Sequence, residues 1–491
     1  ITDPPPAIEN VRPMVEWEPM QALVMGYPAD MSSATNATQT VVQIAYNTIT
    51  KADAEMWFIV DDAATQANLK SAIISAGATT AQVNSKVKFL DTSPGTIWFI
   101  DSGPVPIIDV TQNTFAFGDF RYYHPRPTDD GVPTLLGRAL DTVFDLPNKT
   151  VTYRMPVNTE GGTFQSTTDG ICFTGSRQIA HMVADSGGGW DPSLGGASLA
   201  SLQTHPQTLA LKEIWAEYLG CKDLIVTYSI TDDGTGHIDM YLKVLDDDRV
   251  LMGEYLPPYS VTAQATNAAR MDANAALIDA YTKPGGGSLT AERLIMPGHA
   301  DPGGDEGPAP FTYINSTLIN GVNLWPAFTF PGWTDSRATA EAKWKEVLPG
   351  YEHVWIDSEQ LSYWSGAIHC ITRTIPDKAP GLWVADGSCS GSTCSAPTYG
   401  YDGACMPNGI ATSVCWGPDW QCLCNDCDSG CDEPAPSTGS CATVACGSYT
   451  PSNGIDCSCD EACASYGDCC PDACDACDFN CGVVDPPTGC G

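Results

Sequence analysis

Nineteen of the twenty-two cysteines lie between Cys389 and residue 491, while the first 388 residues hold only Cys172, Cys221 and Cys370. The two regions therefore fold by different means. Cysteine at the density of the tail reads as a disulfide framework, which predicts an oxidising setting, that of a secreted, extracellular protein. Zinc is the rival reading, because Cys424-Asn-Asp-Cys427 has ligand spacing. The tail has no His and no regular series of CxxC pairs, so disulfides are the expectation. The chain opens Ile-Thr-Asp-Pro-Pro-Pro without Met, which reads as a mature form relieved of a leader; a trimmed chain would look the same.

With 59 acidic and 23 basic side chains the net charge is −36. A surface of that sign repels nucleic acid and anionic membranes and attracts cationic ligands, arginine-bearing peptides among them. It equally serves solubility. No apolar run reaches the ~20 residues that span a bilayer.

Before the tail, short apolar runs alternate with helical patterns. Strands are expected at Ala22–Tyr27, Met56–Val60, Val87–Leu90, Val105–Val110, Leu224–Thr227, Val250–Gly253, Leu294–Met296 and Leu324–Ala327. Helices are expected at Gln39–Lys51, Ala63–Ala76, Ser198–Gly220 and Ala263–Thr282. The alternation predicts an α/β domain over residues 1–384. "EGGTFQSTTDG" (160–170) and "NSTLINGVNLWP" (315–326) both read as hairpins followed by a strand, which hints at an internal repeat. A cysteine-rich module and linker follow at 385–438, then a second module at 439–491. No Lys or Arg occurs after Lys378.

Three fragments carry chemistry. In "WSGAIHCITR" (364–373), Cys370 stands apart from the crowded tail. A Cys in an apolar segment is an inert core residue or a thiolate nucleophile, and the second needs a nearby cation or base. On a strand, His369 would point to the opposite face. In "DDGTGHIDMYLKV" (232–244), His237 and Asp239 at i, i+2 would share a strand face as an acid/base pair, or mark an ordinary strand end. In "GTIWFIDSGPVPIID" (95–109), Asp101 ends an apolar run as a turn cap or a ligand for a cation, with Trp98 placed to stack on a planar one.

Taken in order, "VEWEP" (15–19), "IWFIDSGP" (97–104), "EGGTF" (160–164), "GHIDM" (236–240), "TYINSTLINGVNLWP" (312–326) and "GAIHCIT" (366–372) resemble the guanidino-group-modifying, or pentein, superfamily. The nearest likeness is to bacterial peptidyl-arginine deiminases and their agmatine deiminase relatives. The resemblance implies a five-fold pseudo-symmetric α/β propeller. It implies Cys370 as nucleophile, His237 as general acid/base, Asp101 and Asp239 as carboxylates gripping a guanidinium, Asn315 as an active-site amide, and Trp98 as a pocket wall. Glu160, Arg126 and His124 join them as substrate-binding positions. The implied reaction is hydrolysis of arginine in peptides or proteins to citrulline and ammonia, with no cofactor required. Agmatine deiminase and a non-catalytic secreted adhesion protein are the alternatives.

Two positions depart from the family pattern. Ile100 stands where Arg often precedes the Asp. In "YYHPRPTDD" (122–130), His124 replaces the first of two arginines that bind a substrate carboxylate, leaving Arg126. Residues 441–477 resemble a somatomedin B domain, which implies a protein partner for the terminal module, or a protease-resistant appendage. The Asp-rich stretches 246–248 and 301–306 are candidate structural calcium ligands or solvated loops. With Cys370 free, twenty-one cysteines remain, an odd number, and the sequence leaves open whether Cys172 pairs with Cys221.

Overall fold

The computed structural model describes residues 10–383, except 29–30, 32–33, 123–125, 184–195, 232, 260, 298, 301–308, 330–333 and 382, together with 5–6, 415–416 and 421–422. Ile1–Ser388 belong to the first of two compact units. The expectations for the two terminal modules, the somatomedin B resemblance, His124 and the 301–306 stretch lie outside the described residues.

One topology is written five times. In each copy an antiparallel pair is followed by a helical crossover and a third strand that runs parallel to the second. Val105–Asp109 pairs with Thr114–Arg121, which Thr152–Asn158 then joins in parallel. Gln165–Ser166, Ile171–Gly175 and Asp223–Thr227 repeat the order. So do Leu242–Val244, Arg249–Glu254 and Thr290–Ile295, and Thr317–Ile319, Val322–Ala327 and Glu352–Asp357. The remaining copy pairs Met20–Gly26 in parallel with Glu55–Ile59, and takes its antiparallel strand, Arg373–Pro376, from the other end of the domain. The two hairpins expected from sequence are thus members of a longer series.

All eight expected strands are present within a few residues. Local chemistry explains many boundaries. Asn320 and Gly321 both have positive φ (46° and 79°), the turn a two-residue hairpin needs to match strand twist. Asp62 caps the helix Ala63–Ser75 by accepting from the backbone N–H of Ala64 and Thr65. Thr79 and Gln82 form a capping box on Thr80–Lys86. The helix expected at Ser198–Gly220 is two helices, Leu199–Gln203 and Pro206–Leu219. Pro206 has no N–H to continue a helix, so it starts a new one, which His205 caps and Gly220 ends in the left-handed conformation.

Large aromatics fill the spaces between sheets and helices; Trp57, Trp215, Trp325 and Trp344 are fully buried. Cys172 and Cys221 form a disulfide between a strand and the segment that follows a crossover helix, and Cys370 is free and buried. The three aspartates 246–248 are engaged by protein groups: Asp246 by Arg249, Asp247 by Thr168, and Asp248 by Lys283. No described helix is long and apolar enough to cross a membrane.

Candidate active site

The repeat decides where the chemistry-bearing residues meet. Each lies in the short segment just before the antiparallel strand that opens a repeat. Asp101 is in the short helix Phe99–Ser102 ahead of Val105–Asp109. Glu160 precedes the 3-10 turn Gly161–Thr163 ahead of Gln165–Ser166. His237 and Asp239 flank the start of the 3-10 turn Ile238–Met240 ahead of Leu242–Val244. Asn315 precedes Thr317–Ile319, and Cys370 sits in the 3-10 turn His369–Ile371 ahead of Arg373–Pro376. Five equivalent positions in five repeats bring these side chains into one buried cluster.

Two local expectations change. The segment 237–239 is a tight helical turn and not a strand, so His237 and Asp239 do not form the expected pair. The carboxylate partners of His237 are Glu160, in contact with Nε2, and Asp101, whose Oδ1 lies 3.6 Å from Nδ1. Asp239 instead holds His369, with Oδ2 at 2.7 Å from Nδ1. Asp101 likewise sits in a short helix and not at a strand end.

Cys370 is 3% exposed. Its sulfur accepts from Asn315 Nδ2 at 3.1 Å and lies 3.7 Å from Asp239 Oδ2. The Asn315 carbonyl oxygen accepts from the backbone N–H of His369 at 2.9 Å and of Cys370 at 3.3 Å, which clamps the turn bearing the thiol. Burial pushes the thiol up to about 12, and Asp239 adds to the rise while His237 opposes it. Burial alone would lower His237, but the carboxylates of Asp101 and Glu160 outweigh it and hold the imidazolium well above its ordinary range. Burial raises the Asp101 carboxyl well above the usual carboxylate range; His237 opposes the shift, and Glu160 and Asp239 reinforce it. Both shifts run the same way, favouring the protonated form of the thiol and of the imidazole.

Asp101 Oδ1 and Glu160 Oε1 are buried and have no hydrogen-bond partner. Orphaned acceptors of this kind are costly unless something supplies donors. A guanidinium, planar and cationic with five N–H donors, fits that need. Among the described residues, the ligand atoms of Asp101, Glu160 and His237 also lie within 4.8 Å of one another, a donor set that suits a divalent cation.

The Gly-Gly of "EGGTF" has a steric reason that its spacing does not reveal. A Cβ on Gly161 would fall 1.9 Å from the carbonyl oxygen of Ile100, and one on Gly162 would fall 2.4 Å from His237 Nδ1. Similarly, a Cβ on Gly366 would meet the Trp98 ring at 2.2 Å. Gly162→Ala is expected to displace the imidazole and lower turnover by about 10²-fold, the scale of a 1 Å misplacement. Steady-state rates with a melting temperature on the same sample check this; unchanged turnover would remove His237 from the chemistry.

At the edge of the cluster, the Tyr122 hydroxyl lies 3.5 Å from Asp101 Oδ2, and half-buried Arg126 donates to that hydroxyl at 2.8 Å. Trp98 is half-buried. The site also includes two groups that the sequence reading set aside or passed over, His369 and Glu16. Glu16 lies in the quoted "VEWEP" motif, and its side chain reaches His369 Nε2 at 2.7 Å.

Comparison with known proteins agrees with this fold. The substrate-bound agmatine deiminase of C. jejuni superposes with a TM-score of 0.57 at 15% identity, covering 75% of this chain and 97% of that one. Agmatine deiminase of Enterococcus faecalis gives 0.55 at 17% identity, covering 75% and 96%. These likenesses establish a pentein-like α/β fold. The agmatine deiminase of Stutzerimonas stutzeri (strain A1501) is 25% identical over 184 residues, which are 34% of this chain and 48% of that protein, so the match spans about half of this curated relative. The family model described as Porphyromonas-type peptidyl-arginine deiminase matches residues 12–185 and 204–376, well over half of the sequence. The chain belongs to the Porphyromonas-type peptidyl-arginine deiminase family.

Proposed function

We propose that the chain hydrolyses a guanidino group to a ureido group and ammonia, and that its substrate is a small free guanidino compound of the agmatine class. The observation that carries the reaction is the meeting of a free thiol, an imidazole and three carboxylates in one buried cluster. The guanidinium enters between Asp101, Glu160 and Asp239, and its charge offsets the carboxylates that disfavour the thiolate. As the guanidinium binds, the thiol releases its proton to solvent, and the resulting thiolate attacks the central carbon at near-attack distance. His237, already protonated, gives its proton to the departing ammonia. This leaves a thiouronium on Cys370. Neutral His237 then takes a proton from water and the hydroxide adds to the same carbon; collapse expels the thiolate, which takes the proton left on the product oxygen, restoring the thiol and releasing the neutral ureido product. Every atom comes from substrate and water, and this sequence routes no step through a metal.

The small-substrate reading is supported by the agmatine deiminases among the relatives and by the depth of the site, where Cys370, His237 and Asp101 are each at most 6% exposed. Arg126 favours a second reading. A guanidinium at the edge of the site attracts a carboxylate and repels the ammonium of agmatine, so an arginine or C-terminal arginyl peptide is the alternative substrate. Ammonia release from agmatine, free arginine, a C-terminal arginyl peptide and an internal arginyl peptide separates them. Agmatine is expected to lead in kcat/KM by at least about tenfold, which is about 1.4 kcal/mol. A lead for the C-terminal peptide would transfer the function to the second reading, and release from none would end both. The Cys172–Cys221 disulfide supports an oxidising, extracytoplasmic location.

A further inference from the structure

We propose that His369 is a positioning residue for Asp239, held in place by Glu16 and Lys243 in a buried charged array separate from the His237–Glu160–Asp101 cluster. The proposal rests on the deimination reading for its substrate arm, but not for its thiol arm.

The array draws on four segments that are distant in sequence. His369 is 4% exposed. Its Nδ1 lies 2.7 Å from Asp239 Oδ2 and its Nε2 lies 2.7 Å from Glu16 Oε1. The other Glu16 oxygen accepts from Lys243 Nζ and from the backbone N–H of Leu318 at 2.9 Å. Lys243, 2% exposed, also donates to the Ser316 carbonyl at 2.7 Å. Burial works against an ionised Glu16, yet Lys243 and His369 bring its carboxyl down to about 2. An imidazole with one N–H satisfies one carboxylate; two carboxylate contacts at 2.7 Å are both satisfied only when the ring donates from both nitrogens. Asp239 thus receives a donor of fixed direction on Oδ2, the oxygen that lies 3.7 Å from the Cys370 sulfur, and keeps its remaining acceptor capacity for a guanidinium.

Two consequences follow for the reaction. Asp239 is prevented from rotating before substrate arrives, which is the preorganisation that guanidinium capture needs. The hydrogen bond from the ring also takes up part of the charge of Asp239, which otherwise disfavours the thiolate. The charged and titratable groups facing Cys370 are Asp239, His237 and Asp101; those facing His369 are Asp239 and Glu16. Buried Arg373 acts on the same carboxylates, Glu16, Asp101 and Asp239, from further off.

The test uses the full chain with Glu16→Gln, which preserves shape and removes charge, and with His369→Gln and His369→Ala. Two readouts are taken: iodoacetamide modification of Cys370 against pH, and calorimetric affinity for agmatine and arginine in a Cys370→Ala background. Glu16→Gln is expected to displace the modification profile to higher pH and to weaken guanidino binding at least tenfold. His369→Gln, whose amide still donates to Asp239, is expected to bind at least threefold better than His369→Ala. Unchanged profile and affinity in folded Glu16→Gln, or equal behaviour of the two His369 variants, would overturn the proposal. If Glu16→Gln does not fold, the His369 pair decides alone. Absence of guanidino binding in the Cys370→Ala parent itself would count against the substrate reading, and the modification profile would still judge the array.

Discussion

Cys370→Ala is expected to reduce ammonia release from any guanidino compound by at least about 10⁴-fold, the scale seen when a nucleophile is removed. The side chain loses one sulfur from a buried site, so a modest fall in stability is expected with a folded domain. The loss of turnover should come without loss of guanidino binding, because the gripping carboxylates remain. A folded variant that still released ammonia at the parental rate would show that the thiol is a core residue, as cysteines in apolar segments often are. The parent protein should also have a quiet thiol: with its proton held up to about 12 by burial and Asp239, modification by iodoacetamide should be slow at neutral pH and accelerate as pH rises.

Asp101→Asn is expected to have effects of opposite sign on the two activities. Deimination should fall by about 10²–10⁴-fold, the scale of leaving a buried cation without its carboxylate. Thiol modification should hold steady or quicken. Asp101 disfavours the thiolate, so removing its charge lowers the thiol's proton affinity, while Glu160 still holds His237 protonated. A general loss of structure would depress both. Rates of ammonia release and of iodoacetamide modification on one preparation distinguish the cases; a parallel fall in both would remove Asp101 from the role of guanidinium ligand.

Local sequence signals carried much of the scaffold. Apolar runs located the strands because burial of a sheet face imposes its own pattern, and Asn320-Gly321 marked a hairpin because few residues accept its backbone angles. The helical reading of Ser198–Gly220 failed at Pro206, where a missing N–H restarts the helix. The site residues were named from short motifs by resemblance, but their pairing was not legible. His237 and Asp239 look like partners on a strand. In the folded chain a 3-10 turn starts after His237 and carries Asp239, giving His237 to Glu160 and Asp101, and Asp239 to His369.

On a strand, His369 and Cys370 would face apart, so neighbouring positions in sequence hide the place of His369 in the site. One of its two partners, Glu16, lies at the opposite end of the domain sequence, where no periodicity or spacing could point to it. By itself, the sequence determined the α/β alternation, a divided cysteine economy and a set of residues able to do guanidino chemistry. Only the tertiary structure decided which carboxylate faces which imidazole. Hydrophobic patterning acts along a few residues at a time, whereas the charge contacts of this site join turns from five repeats and depend on how those repeats pack.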